Sequence, residues 1–378
     1  MKILLIGNYQ PDAITSMDKF LEVLATNLPQ FGHQVKILRP QPKLGSLQPV
    51  IKPLRKWLGY IDKLVFFPSQ LQKSISWADI VHICDHGNAI YTQYLQNIPH
   101  LVTCHDLLAI RSGLKEFPEY QTGWTGKKLQ QMIVNGLNQA HSVVCDSKNT
   151  QNDLLRLSSI KSEAISLIHL GLNYPYSPMK YSQAKSHLER LEIPNNSHYI
   201  LHVGANHWYK NRLGVLEIFK NLLPLYKSSN LHLIMVGQPL TSEMQQFIQT
   251  HHLSQNVIER VNIDPEDLRA LYSSAIALLF PSLQEGFGWP IIEAQACGCP
   301  VFTSNRPPMN EIGGQAALYI DPSNPQQAAH RISLNLCKRK DMIDKGLMNV
   351  QKFQTEVMIT KYIELYQNLI LKKYTNSS

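Results

Sequence analysis

The stretch PSLQEGFGWPIIEAQACGCPV, residues 281–301, decides how the rest of the chain is read. An apolar run, Ile276–Phe280, leads into it and stops at Pro281. A loop with Glu285, Gly286 and Gly288 follows, and Pro290 suits the first turn of a helix, where a missing N–H is tolerated. The spacing predicts a strand, a glycine loop and a helix start, with Glu285 in the loop and Glu293 in the first turn or just beyond it. Such a helix start presents N–H groups and a partial positive charge, which favour a phosphate. Gly286 and Gly288 let the backbone approach a ligand closely. Glu285 can accept hydrogen bonds from sugar hydroxyls and Glu293 from a ribose diol. The competing reading is a glycine turn with two solvated glutamates.

Outward from this stretch, short apolar runs alternate with helical patterns. Lys2–Ile6, Gln34–Leu38, Asp79–Cys84, His100–Cys104, Ser142–Cys145 and Ile165–Ile168 read as strands, with amphipathic stretches such as Met17–Leu28 and Lys128–Ala140 between them. A second series holds His198–Val203, Leu231–Val236, Val257–Asn262, Ile276–Phe280, Pro300–Thr303 and Ala317–Ile320, separated by helical patterns at Leu213–Leu223, Glu266–Ser273 and Pro290–Ala296. This rhythm is that of parallel βαβ units. The expected division is an N-terminal domain over 1–172, a linker over 173–197, a C-terminal domain over 198–354, and a final helix over 355–378 that returns to the N-terminal domain. Two open sheets facing one another would enclose a cleft at their strand ends.

Composition narrows the classes. The chain has 378 residues, 44% of them apolar, which excludes a disordered protein and suits two domains. Its six cysteines (Cys84, Cys104, Cys145, Cys297, Cys299 and Cys337) lack the two-residue spacing of zinc or redox motifs, and three of them end apolar runs. A reduced, cytoplasmic setting is therefore expected. The N-terminal apolar run is too short for a signal peptide, and no run reaches a membrane span. A net charge of +8 favours anionic partners, but no nucleic-acid module is present. Residues 50–77, VIKPLRKWLGYIDKLVFFPSQLQKSISW, mix Lys52, Arg55, Lys56 and Lys63 with Trp57, Tyr60, Phe66 and Phe67. Such a segment either lies on an anionic membrane surface or packs its aromatics on its own domain.

The pattern EGFGxPxxEAxAxGxPV within 285–301 resembles the signature of the retaining group-one glycosyltransferases, which have the GT-B fold of two facing Rossmann-like domains. VGANHWYKN at 203–211, SNRPPMNEIGGQAALYIDP at 304–322 and LVTCHDL at 101–107 resemble further family segments in the same order. The resemblance implies that Glu285 contacts the transferred sugar, Glu293 binds the ribose, and Lys210, after Gly204, holds the donor diphosphate. The N–H groups of Gly286, Phe287 and Gly288 would surround sugar and phosphate. His105 would approach the sugar from the first domain, while Asp106 caps or orients; the resemblance also puts the acceptor on the N-terminal domain and the nucleotide-sugar donor on the C-terminal one. Three departures stand out. The arginine usual before the lysine is missing, which leaves Arg212 or His207 as substitutes. The first loop, GNYQPDAITSMDKF, lacks paired glycines. NEIGG replaces a PEV-like stretch but keeps Glu311.

The implied activity moves a sugar from a UDP-, GDP- or ADP-sugar to the hydroxyl of a glycan or lipid-linked acceptor, with retention. No cofactor and no metal are expected, because no carboxylate or histidine cluster has metal spacing. A front-face attack is favoured, since no nucleophile with a supporting base is evident. Other readings are a nucleotide-sugar epimerase or glycan phosphorylase on the same architecture, or a non-catalytic nucleotide-sugar-binding protein. The basic surface suggests peripheral contact with the inner face of a membrane.

Overall fold

A computed structural model describes residues 1–12, 14–45, 52–118, 120–195, 197–226 and 230–375, with side chains of 52–56 and 374–375 outside the description. The chain forms two compact units, one comprising Met1–Asn173 with the chain from Thr355 onward, the other Tyr174–Gln354.

The first unit is built on a parallel sheet of β1 (Lys2–Ile6), β2 (Gln34–Leu38), β3 (Ile80–Ile83), β4 (His100–Cys104), β5 (Ser142–Cys145) and β6 (Ile165–Leu167), ordered β2-β1-β3-β4-β5-β6. Every residue of β3, β4 and β5 is buried, as expected for strands covered by helices on both faces. The second unit has β7 (His198–Gly204), β8 (Leu231–Gly237), β9 (Val257–Val261), β10 (Ala277–Phe280), β11 (Val301–Ser304) and β12 (Ala317–Ile320), in the order β12-β11-β10-β7-β8-β9, again all parallel. In each sheet the order reverses direction beside the first strand of the series, which creates a crevice at the carboxyl ends there.

The stretch 173–197, expected as a linker, belongs from Tyr174 onward to the second unit. Its helix Tyr181–Arg190 lies along the helix Pro265–Ser274 because polar groups on both are matched. His187 donates to Asp267 at 2.7 Å, and Arg190 pairs with the same carboxylate. Tyr174 donates to Glu266 at 2.7 Å, and Arg269 Nε donates to the Ser177 carbonyl at 2.8 Å. A run rich in Pro, Ser and Asn reads as a spacer, but these side chains fix it. The helix Pro265–Ser274 is itself capped by Asp264, whose carboxylate accepts from the Asp267 N–H at 2.8 Å.

The C-terminal helix, Thr355–Thr375, is part of the first unit. It docks through a buried polar chain. Tyr366 Oη lies 2.7 Å from His82 Nδ1, His82 Nε2 lies 2.8 Å from Thr103 Oγ1, and Thr103 Oγ1 lies 3.0 Å from Tyr362 Oη. All four residues are fully buried.

Within the basic aromatic segment, Val50 and Ile51 lie outside the described residues. The rest is the helix Lys52–Ile61, a π-helical turn Asp62–Phe66 and the helix Phe67–Ile75. Asp62 turns inward and accepts from Tyr9 Oη and from the Leu44 and Gly45 N–H groups, each at 2.9 Å. Phe67 is fully buried, whereas Trp57 is 60% and Val65 62% exposed, so the segment neither packs all its apolar groups nor frees them all. Among the described residues, five cysteines are buried and Cys337 is exposed, all as free thiols, and no helix is long and apolar enough to cross a membrane.

Tyr366→Phe removes the partner of a buried imidazole nitrogen. It should lower stability by about 1–3 kcal/mol, read as a lower denaturant midpoint at unchanged m value. Burial also pushes the pKa of His82 from 6.5 down to about 3, that of His100 to about 4 and that of His202 to about 3. Each folded-state value lies below the unfolded one. The unfolded chain therefore binds more protons below 6.5, and stability should fall as pH drops from there toward 4. The slope should be up to about 1.4 kcal/mol per unit for each histidine, and His82→Gln should flatten it in a melting series across pH.

Candidate functional site

The second unit gathers its unusual chemistry at the carboxyl ends of β7, β8 and β10. Gly204 and Gly237 end β7 and β8 in register. Gly237 has φ +141°, and a Cβ there would sit 2.1 Å from the Gly204 carbonyl oxygen, so the two loops can meet only without a side chain. The loop after β7 is then laced to its neighbours. Asn206 takes a hydrogen bond from Arg212 and donates through Nδ2 to the Pro239 carbonyl at 2.7 Å, while its N–H donates to Gln238 Oε1 at 2.7 Å. Asn211, at φ 53° and ψ 42°, donates to the Pro281 carbonyl at 3.1 Å, and the Leu283 N–H donates to the Tyr209 carbonyl at 2.7 Å. The loop after β10 is thereby held against the loop after β7.

That alignment brings together two residues 75 positions apart. Lys210 Nζ donates to Glu285 Oε1 at 2.7 Å and to Oε2 at 2.8 Å. The side chains are only 17% and 7% exposed, and Nζ also lies 5.3 Å from the Phe280 ring centroid. A charge pair so withdrawn from water interacts far more strongly than one on the surface. Gly288, at φ 104°, turns the chain into the helix Trp289–Ala296, and no side-chain hydrogen bond caps that helix. Gly286 and Phe287 lie between Glu285 and this turn, with Phe287 buried edge-on against Phe353. Glu293 sits one turn further on, beyond the helix start. It is buried, and its Oε2 accepts from Tyr272 Oη at 2.9 Å.

Neither substitute for the absent arginine is a free surface cation beside Lys210. Arg212 is 2% exposed, and its Nη1 donates to Asn206 Oδ1 and to the Gln238 carbonyl at 2.8 Å. Its Nε and Nη2 make no hydrogen bond, and burial lowers its pKa. Its observed contacts tie two loops together. His207 is exposed and stacks on Tyr209 with ring centroids 5.3 Å apart and planes 9° from parallel. The sequence reading missed His202, a β7 residue whose Nδ1–H donates to the Leu279 carbonyl at 3.0 Å beneath Gly204. It also missed the bracing by Asn206 and Asn211. No pattern marks an asparagine as a brace until its partner loop is placed.

His105 lies in the first unit at the end of β4 and is 3% exposed. Its Nε2 faces the Cys84 carbonyl at 2.9 Å, so Nε2 carries a proton. Its Nδ1 faces Asp146 Oδ2 at 2.9 Å. Burial resists charge on both, yet Asp146 and Asp85 raise the histidine's pKa, and burial raises that of Asp146 to about 6 despite His105. The pair therefore holds one proton between Nδ1 and the carboxylate. Both ring nitrogens are engaged within the unit. Asp106 accepts from the Leu108 N–H at 3.0 Å and so caps the following turn. The first loop lacks paired glycines but is ordered by side chains instead. Asn8 Nδ2 donates to Asp85 at 2.7 Å, and Asn88 Nδ2 donates to Asn8 Oδ1 at 2.5 Å. Among the described residues, no group of three or more His, Cys, Asp or Glu is arranged to hold a metal ion.

Comparison with known proteins follows the same division. Residues 17–174 match the family described as Glycosyltransferase Family 4, and residues 184–346 match that described as Glycosyl transferases group 1. The chain is 25% identical over 348 residues to O-antigen chain mannosyltransferase B of Escherichia coli, covering 89% of this chain and 84% of that protein. It is 24% identical over 240 residues to D-inositol 3-phosphate glycosyltransferase of Corynebacterium diphtheriae, covering 61% of this chain and 55% of that one. In fold it is similar to Anabaena HepE in complex with UDP and glucose, with a TM-score of 0.75, 17% identity, and 97% of this chain and 99% of that chain covered. The GT-B architecture expected from the sequence is the one these comparisons show. The chain is a glycosyltransferase, and it belongs to the group 1 glycosyltransferases.

Proposed function

We propose that this glycosyltransferase draws its sugar from a nucleoside diphosphate sugar and transfers it, with retention of anomeric configuration, to an acceptor hydroxyl. The observation that carries this reading is the withdrawn Lys210–Glu285 pair beside a glycine-initiated helix start. An ammonium there can meet a diphosphate, a carboxylate beside it can meet sugar hydroxyls, and the helix dipole favours the same anion. That HepE is described in complex with UDP and with UDP-glucose supports a nucleotide-sugar donor. That the relative from Escherichia coli is an O-antigen chain mannosyltransferase supports a glycan acceptor.

In this mechanism the bond between the anomeric carbon and the phosphate oxygen breaks, and the acceptor oxygen bonds to that carbon on the same face. The acceptor proton passes to the departing phosphate oxygen. Lys210 offsets charge on the leaving group, and Glu285 stabilises positive charge at the anomeric carbon. Glu293 binds the ribose, and the loop N–H groups of Gly286, Phe287 and Gly288 surround the phosphate and sugar. Lysine and helix start together make a bound metal unnecessary for the diphosphate. His105, locked by Asp146 and the Cys84 carbonyl, acts through its position and shared charge in the first unit. The exposed Trp57, Ile61, Leu64 and Val65 beside Lys63 support peripheral contact with an anionic membrane on the cytoplasmic side.

A thermal-shift panel of UDP-, GDP- and ADP-sugars should show one base family raising the melting temperature, because a ligand of the folded state stabilises it by mass action. Nucleoside diphosphate should appear only when acceptor is supplied; isomerised donor without acceptor would instead favour an epimerase. Lys210→Met should lower kcat about 10²–10³-fold in that assay, and Glu285→Gln should act in the same direction. Unchanged turnover in both variants would remove the proposed centre. Glu293→Gln should chiefly raise the donor KM, by about tenfold or more, if its charge holds the ribose. Flotation with anionic vesicles at low salt should carry the protein, and neutral vesicles should not; equal recovery from both would dismiss the membrane contact.

A further inference from the structure

The first unit holds a cavity of about 310 Å³ that donor binding as proposed does not use. It opens at the carboxyl ends of β1, β3 and β4, where Asn8, Asp85 and His105 follow their strands, the end at which open α/β sheets take ligands. Its size is at the lower end of small-molecule sites. The described lining carries three carboxylates, Asp12, Asp85 and Asp106, against a single Lys or Arg, Lys63. Lys63 is already engaged. Its Nζ lies 3.0 Å from Asp12 Oδ2 and over the rings of Tyr9 and Tyr60. Asp85 is buried, yet His86, His105, the Gly87 N–H and Asn8 hold its carboxyl below the usual carboxylate range, so it stays ionised.

Two polar atoms on this wall are buried without a hydrogen bond, Gln130 Oε1 and His86 Nδ1. The imidazole nitrogen is 3.2 Å from Asp85 Oδ1. The Gln130 amide oxygen needs a donor, and each carboxylate, though already bonded to a donor of the protein, has lone pairs left for another. Sugar hydroxyls are donors and acceptors at once, so they can satisfy Gln130 Oε1 and the carboxylates together. A phosphate monoester carries a charge of about −1.5 to −2 at neutral pH and offers its oxygens chiefly as acceptors. Three carboxylates, with the lysine already paired to Asp12, disfavour it.

With the acceptor taken to lie on this first unit, as the family resemblance implies, we infer that this cavity selects an uncharged sugar over a phosphorylated one at the reacting end, with Gln130 and His86 as contacts to its hydroxyls. The inference rests on the reading of the chain as a transferase to an acceptor hydroxyl. From there the specificity follows: a glycan end fits whatever lies further along it, whereas a sugar phosphate is turned away at the reacting ring.

Binding to the full chain can be followed by saturation-transfer NMR with methyl mannoside, glucoside and galactoside, each against its 6-phosphate. At least one neutral glycoside should bind tenfold or more tightly than its phosphate. Gln130→Ala, a change that a helix tolerates, should weaken that glycoside about five- to tenfold, the loss of one hydrogen bond. Asp12→Asn, which leaves Lys63 uncompensated, should narrow the preference over the phosphate about fivefold. Equal or tighter binding of the phosphates, no binding of any neutral glycoside, or an affinity indifferent to Gln130→Ala would overturn the inference. The donor panel separates this from the parent reading. If nucleotide sugars raise the melting temperature while these glycosides fail, only the acceptor inference falls; if no nucleotide sugar binds, the donor reading falls.

Discussion

Parallel strands cannot be joined by tight turns, so each β-strand here must be followed by a crossover, and the crossovers cover both faces of both sheets. The interior strands are consequently apolar along their length, and water reaches the sheet only at its ends. Polar chemistry is confined to the loops that leave the strand carboxyl ends. Lys210, Glu285 and Gly288 lie on such loops in one unit, and Asn8, Asp85 and His105 on such loops in the other. In the first sheet, His82 and Thr103 enter the interior with their polar atoms matched by one another and by Tyr362 and Tyr366.

The two units solve the problem of buried charge differently. In the second, opposite charges meet directly, Lys210 on Glu285, and the aromatic faces of Tyr209 and Phe280 lie close to the ammonium. In the proposed donor reading, an incoming diphosphate would compete with Glu285 for this cation. In the first, His105 and Asp146 are bound to one another and to the Cys84 carbonyl, with Phe20 edge-on at 5.0 Å. That arrangement fixes a proton and a ring orientation. One pair leaves an ammonium held by a single carboxylate, and the other locks an imidazole on both ring nitrogens.

The alternation of strands and helices was legible because a strand buried on both faces has to be written as an unbroken apolar run. Every expected strand is present, with ends shifted by a residue or so, as for Asp79–Cys84 against Ile80–Ile83. The loop of Glu285 was legible because glycine and proline punctuate it. The Lys210–Glu285 contact was not, since it depends on Asn211 taking a left-handed turn and on two loops being tied together. The fate of His105 was likewise hidden. Its neighbours Asp146 and Cys84 are distant in sequence and become neighbours only when β3, β4 and β5 pair. The stretch 173–197 misled because composition reports local flexibility and is blind to ion pairs such as Arg190 with Asp267.

The C-terminal helix completes the first unit from the far end of the chain, with the whole second unit intervening in sequence. A growing polypeptide therefore exposes the first sheet to solvent on the face that Tyr362 and Tyr366 later cover, until the helix Thr355–Thr375 has been made. The second unit is continuous and can finish folding while the first still waits. His82 and Thr103 have no tyrosine hydroxyls to bond during that interval, and the exit of the final helix is the step that seals them. The order of synthesis thus makes the earlier-made sheet wait for a helix that follows the whole second unit in sequence.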